Sequence, residues 1–393
     1  MSIVSQRISR RRLMRNAGLA GVAVVGAPAL AACGTDPVDT EAGGTTDDLS
    51  ETAKLVRFDN WPLYIDVDEE DPNVRPTLAA FEDSTGISVE YVEAVNDNNE
   101  YFAKISPQLS AGQAIGADVF VVTDWLVARL INLGWLQELN PDNLPTVSAN
   151  LDPALRAPGF DPDRLYSVPW ASGITGIAYN AKALPNGISS LDQLLTDPEL
   201  SGRVTLLSGM RESLPILAGA QGNGLESFTD ADVDAAIAKV EQAVASGQIR
   251  RFTGNDYADD LANGNVVAAL AWSGDAIQLQ FDNPDLKFVI PEEGGELWSD
   301  NMVVPVGATR KTNVEKLMDW YYQPQIAAEL AAWVNYISPV PSAKAAMAEI
   351  DPELADSPLI FPSESDLSNV GISREITEEE EVRYETDWNS VVT

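Results

Sequence analysis

The chain has 393 residues with 25 basic and 60 acidic side chains, no histidine and one cysteine, giving a formal charge of -35. The lack of histidine removes the commonest general base, the commonest metal ligand and every Ser-His or Cys-His nucleophile arrangement, and one cysteine allows no disulfide framework. The acidic excess disfavours nucleic acid and anionic ligands, so carboxylate-pair chemistry or binding without chemistry remains, and no cofactor or metal is expected.

Arg7, Arg10, Arg11, Arg12 and Arg15 form a basic region without an acid, followed by a run rich in Ala, Gly and Val that ends at Leu30-Ala31-Ala32-Cys33. The run is too short and too weakly apolar for a spanning helix, which needs about 20 strongly apolar residues. The order Ser9-Arg10-Arg11-Arg12-Leu13-Met14-Arg15 resembles a twin-arginine export signal, and Leu30 to Cys33 resembles a bacterial lipobox, in which the cysteine is lipidated. Removing residues 1–32 leaves 20 basic against 60 acidic residues. Residues 33–52 are small, polar and acidic, the composition of a flexible stalk, and the fold is expected to start near Ala53.

Lys54 to Asp59 alternates as a strand, Pro76 to Thr85 reads as a helix stopped by Gly86, and Ile87, Val89 and Tyr91 alternate as a second strand. A helix is expected over Glu100 to Ala111. Asp118 to Val122 is a continuous apolar run, the pattern of a strand buried on both faces, and Asp124 can N-cap a helix over Trp125 to Leu133. After a proline-rich interval, strands are expected at Val204 to Leu207, Val266 to Ala271, Lys287 to Ile290 and Met302 to Val306. Helices are expected at Asp230 to Ser246 and around Val314 to Tyr322. The alternation predicts two α/β lobes with doubly wound sheets. The acids at 378–381 read as a solvated run.

In such sheets ligands bind beyond the carboxyl ends of the strands. Trp61 and Tyr64, Thr123 to Trp125, Glu212, and Trp272 with Asp275 stand there, and a turn before Met302 brings in Trp298 and Asp300. Rings plus carboxylates suit an organic cation, whose ammonium groups pair with the acids while its charge lies over ring faces. The alternative in another class is a carboxylate-pair glycoside hydrolase.

From about Val56 to Ala345 the chain resembles the substrate-binding lipoproteins of bacterial polyamine ABC transporters. The likeness rests on Asn60-Trp61-Pro62-Leu63-Tyr64, Asp118 to Trp125, Tyr166-Ser167-Val168-Pro169-Trp170, Met210-Arg211-Glu212, Trp272-Ser273-Gly274-Asp275, and Glu293-Gly294-Gly295-Glu296-Leu297-Trp298-Ser299-Asp300. Tyr336, in Asn-Tyr-Ile-Ser-Pro-Val-Pro, matches a further aromatic ligand position. Two departures stand out: Leu63 replaces an acid of putrescine-type members, and Gly209 replaces an Asp of spermidine-type members.

The resemblance implies a hinged, two-lobe periplasmic-binding-protein-like α/β fold of type II with a ligand cleft between lobes. One lobe would hold 53–172 and 299–343, the other 173–298 and 344–393. It implies a monomeric, non-enzymatic, extracytoplasmic protein that captures putrescine, spermidine or a similar polyamine for membrane-embedded ABC permease subunits, anchored by a lipid on Cys33. Another organic cation, such as a cationic amino acid or betaine, is the alternative ligand.

Cys33→Ser is expected to release the exported domain from the membrane without altering ligand binding. Intact-mass spectrometry of membrane-extracted protein checks the processing, and a retained Met1 would contradict it.

Overall fold

The computed structural model describes residues 47–392 except 63, 69, 96 and 97. The expected signal segment, Cys33 and most of the expected stalk therefore lie outside the described residues, as does Leu63. Ordered contacts begin before Ala53: the Asp48 carboxylate accepts the Thr312 N–H at 3.1 Å, and the Leu49 N–H reaches the Thr309 carbonyl at 2.7 Å.

In chain order the first elements are β1 (Leu55–Asn60), α1 (Pro76–Thr85), β2 (Ser88–Glu93), α2 (Asn98–Ser110), β3 (Val119–Thr123), α3 (Asp124–Asn132) and α4 (Pro145–Asn150). Then come β4 (Ser167–Asn180), α5 (Leu191–Thr196), β5 (Val204–Leu207), α6 (Met210–Gly219), α7 (Asp230–Ala245), β6 (Ile249–Thr253), α8 (Tyr257–Asn263), β7 (Ala268–Trp272) and α9 (Ser273–Asp282). The last are β8 (Leu286–Val289), β9 (Gly295–Val303), α10 (Lys311–Tyr321), α11 (Pro324–Val334), α12 (Ala343–Ile350), α13 (Pro352–Ala355), β10 (Val370–Gly371) and α14 (Glu378–Val392).

These elements form two compact units. The first holds residues 47–171, 300–334 and 338–352; the second holds 172–299, 335–337 and 353–392.

In the first unit β1 lies between β2 and β3, parallel to both, and β9 runs antiparallel to β3 with Thr123 opposite Asp300. The apolar run of β3 is buried residue after residue from Val119 to Val122, as a strand covered on both faces requires. Local chemistry sets the ends of α1: Pro76 supplies the helical φ of its first turn, and Gly86 takes the left-handed φ of 68° while its N–H returns to the Glu82 carbonyl. The expected N-cap of α3 is corrected. Asp124 is already helical, and Thr123 is the N-cap residue but makes no capping bond, because its hydroxyl is committed to Asp300.

In the second unit β4 is antiparallel to β7 and β8, and β5 is parallel to β7 and β6. Both units are thus α/β with mixed sheets, parallel pairs joined by antiparallel ones. Thr229 and Asp232 close a capping box at the start of α7, and the unit's core runs through Leu206, Leu214, Val233, Val240 and Leu270 to Tyr384 and Trp388 of α14. That docking corrects the reading of the acidic run as solvated for Glu380 and Glu381, while Glu379 is exposed. Glu380 pairs with Arg374 at 2.8 Å and Glu381 with Arg211 at 3.2 Å, because burying one face of α14 brings these acids against basic side chains.

Trp388 is fully buried and its indole N–H donates to the Ser208 carbonyl at 2.8 Å. Trp388→Ala is expected to destabilise the fold by about 3–5 kcal/mol, the usual cost of removing a buried aromatic. Denaturant unfolding of the variant checks this.

Candidate functional site

The end of β3 assembles the candidate residues of the first unit. Cross-strand pairing sets Thr123 opposite Asp300, and the Thr123 hydroxyl donates to Asp300 Oδ1 at 2.7 Å. The Tyr64 hydroxyl donates to Asp300 Oδ2 at 3.0 Å, and the Tyr64 carbonyl is held by the indole N–H of buried Trp170 at 3.1 Å. Asp300 is 5% exposed, and no basic side chain among the described residues pairs with it. Burial pushes its carboxyl up to about 6; the two hydroxyls pull it down, and neighbouring Asp124 pushes it further up.

Trp61 follows β1, where its indole N–H donates to the Val121 carbonyl at 3.1 Å. Trp125 lies in the first turn of α3, and both rings pack half-buried against the cluster containing Tyr101, Phe120 and Val122. The expected turn before Met302 is corrected, because Trp298 and Asp300 lie inside β9 itself.

The second unit gathers three candidates, Trp272, Trp298 and Tyr336, around a fourth, Asp275, in the first turn of α9. Asp275 Oδ2 accepts from Asn255 Nδ2 and the Tyr257 hydroxyl, each at 2.7 Å, and Oδ1 accepts from the Tyr336 hydroxyl at 3.3 Å. The Tyr257 hydroxyl also receives the Trp272 N–H at 3.0 Å; burial, then the charge of Asp275, holds its phenol far above the ordinary range. Trp298 stands 5.6 Å from Tyr336 and 6.5 Å from Trp272 between ring centroids, tilted by 59° and 74°.

Two glycines let this ring cluster form. A Cβ at Gly173 would sit 2.3 Å from the Trp298 ring, and one at Gly274 would sit 2.6 Å from the Tyr336 ring. Asn335 aims Tyr336 from a left-handed φ of 59°, which asparagine tolerates better than most residues, and its side-chain oxygen accepts from Gln278 at 2.8 Å.

Glu212 lies in a different neighbourhood of the second unit. Its carboxylate curls over Gly209, so that a Cβ there would meet it at 1.8 Å. The space of the missing Asp side chain is thus occupied by Glu212. Nearby stands Glu296, in the segment from Glu293 to Asp300 and not among the candidate site residues. It is 8% exposed and accepts the Ser373 hydroxyl; burial pushes it up to about 7, Ser373 lowers it, Glu212 raises it and Arg211 lowers it. Asn98, Asn255 and Tyr257 were also missed. Their polar side chains carry no motif, and only the fold sets them against Thr123 and Asp275. No group of three or more potential metal ligands is found among the described residues.

The family model for bacterial extracellular solute-binding proteins matches residues 77–362. The chain belongs to that family. The spermidine/putrescine-binding periplasmic protein of Escherichia coli is 26% identical over 329 residues, spanning 82% of this chain and 89% of its own. The putrescine-binding periplasmic protein of the same organism is 29% identical over 332 residues, with 80% and 85% covered. A solved structure from Listeria monocytogenes, described as a spermidine/putrescine ABC transporter, superposes with a TM-score of 0.74 at 27% identity and covers 86% of this chain and 98% of that one. The family is one of solute-binding transport proteins, so the chain is not an enzyme and the glycoside hydrolase alternative falls.

Glu296 generates a stability prediction. Its folded pKa of about 7 exceeds the ordinary 4.5, so the native state holds a proton that the unfolded chain releases earlier. The associated stability is full below pH about 4.5 and is lost as pH rises towards about 7, on the order of 3 kcal/mol. Glu296→Gln should flatten that fall in a pH series of ligand-free thermal unfolding.

Proposed function

We propose that the protein captures a polyamine outside the cytoplasm and delivers it to an ABC permease, working as a monomer tethered by a lipid on Cys33. The observation that carries this reading is Asp300. A carboxylate desolvated to 5% exposure and held, among the described residues, by hydroxyl groups is costly when ionised, and a bound ammonium would supply the countercharge.

Within the second unit, Asp275 with Trp272, Trp298 and Tyr336 around it also suits a cation, since ring faces attract a desolvated ammonium. Glu212 would take a further amine, and Trp61, Tyr64, Thr123 and Trp125 would shape the surroundings of Asp300. The polyamine-binding names of the relatives support the same ligand class. They also support an extracytoplasmic place of work.

One observation favours a second reading. The indole N–H of Trp298 is buried with no hydrogen-bond partner among the described residues, and a ligand carrying an acceptor, such as a cationic amino acid, would satisfy it.

A thermal-shift series with putrescine, cadaverine, spermidine, spermine, lysine and arginine decides between the readings. A ligand at about 100 times its dissociation constant should add roughly 2.7 kcal/mol of stability. A shift with a neutral sugar and with none of these cations would overturn the reading. Asp300→Asn should weaken polyamine binding by about 2–5 kcal/mol, as truncation of a buried charge partner does. Trp298→Leu should cost less, about 2 kcal/mol for a lost cation-π face. Loss of ligand-free stability with normal binding in both variants would instead give these residues purely architectural roles.

A further inference from the structure

Thr123 is useful to Asp300 only while its hydroxyl points the right way. A hydroxyl has one hydrogen to give and lone pairs to receive, and it rotates towards whichever neighbours demand them. Its other neighbour is Asn98, the first residue of α2, which is 4% exposed. Asn98 Nδ2 donates to Thr123 Oγ1 at 2.9 Å, while Asn98 Oδ1 accepts the Thr123 backbone N–H at 3.3 Å.

These two bonds fix the amide's orientation. Oδ1 must face the backbone N–H, so the NH2 end must face the hydroxyl oxygen. The hydroxyl, already receiving from Asn98, has its hydrogen left for Asp300 Oδ1, at 2.7 Å. The result is a directed relay from amide to hydroxyl to carboxylate, whose members reinforce one another.

We infer that Asn98 is a positioning residue that acts through Thr123 to hold Asp300 as an ionised acceptor for a bound cation. The inference rests on the reading of Asp300 as a cation seat, and it extends the site to a residue that reaches the carboxylate through Thr123. The other groups facing the carboxylate are the Tyr64 hydroxyl and Asp124, the latter held by Asn301 Nδ2 at 2.7 Å. Neither can replace the directed hydroxyl: Tyr64 serves the other oxygen, and Asp124 repels.

Asn98→Asp reverses the relay, because a carboxylate at 98 has no hydrogen to donate and competes with Asp300 for the Thr123 hydrogen. It also adds a charge, so it is read as a cycle in the Thr123→Val background, where the charge remains and the relay is gone. The readout is the carboxyl 13C titration of Asp300 in the ligand-free full chain, assigned by its loss in Asp300→Asn.

The Asp300 midpoint should rise with Asn98→Asp by about one unit more when Thr123 is present than when Val stands there, the worth of one hydrogen bond to a charged group. Asn98→Leu, uncharged and close in shape, should give a smaller rise that vanishes in the Thr123→Val background, and it decides the matter should the Asp variant not fold. Equal shifts in both backgrounds, or none in either, would overturn the inference.

Spermidine titrations of the same proteins form a separate arm, with a weakening of about tenfold for the Asp variant that shrinks in the Val background. If spermidine fails to bind the unaltered protein, the reading of the ligand falls while the titration still decides the role of Asn98.

Discussion

The central constraint is a carboxylate taken out of water with no basic side chain among the described residues beside it. Asp300 is held by the hydroxyls of Tyr64 and Thr123, and burial lifts its pKa to about 6. A protein that only needed stability would have paired this acid with a base, as it pairs buried Asp118 with Arg310 at 2.7 Å, or replaced it with an apolar residue. Leaving the charge uncompensated costs folding free energy, and the cost makes sense where a ligand later brings the opposite charge.

The architecture places such groups where backbone and site meet. Thr123 ends β3, Trp272 ends β7, and Asp275 sits in the first turn of the following helix. Each is therefore positioned by a rigid strand whose core residues are fully buried. The ring cluster of the second unit depends on what is missing as much as on what is present, since the bare backbones of Gly173 and Gly274 are the floor on which Trp298 and Tyr336 lie. Either glycine replaced by alanine would push a ring away before any ligand contact changed.

Strand-end logic and cap chemistry made much of this legible in the sequence. The apolar run at 119–122, the helix from Pro76 to its stop at Gly86, and the strand at Val204 to Leu207 all declare themselves locally. β9 did not, because Gly294, Gly295, Ser299 and Asp300 look like turn residues, although pairing with β3 holds the segment extended. The length of β4 was hidden in the same way by Pro169, Gly173 and Gly176. Asn98, Glu296 and Tyr257 escaped for a different reason. Their roles come from partners 25, 77 and 18 residues away, distances at which side-chain pattern carries no signal.

Calorimetric titration of spermidine near pH 5.5, in two buffers of different ionisation enthalpy, probes the Asp300 carboxylate itself. With burial pushing its pKa up to about 6, Asp300 is largely protonated at pH 5.5, and a cation seated on it, as proposed, would displace that proton. Release of up to about one proton per ligand is expected, fading by pH 7.5 and abolished by Asp300→Asn, with affinity rising as pH rises through this range. Tight binding of spermidine with no proton release, and with affinity unchanged between pH 5.5 and 7.5, would contradict the seating of a cation on Asp300.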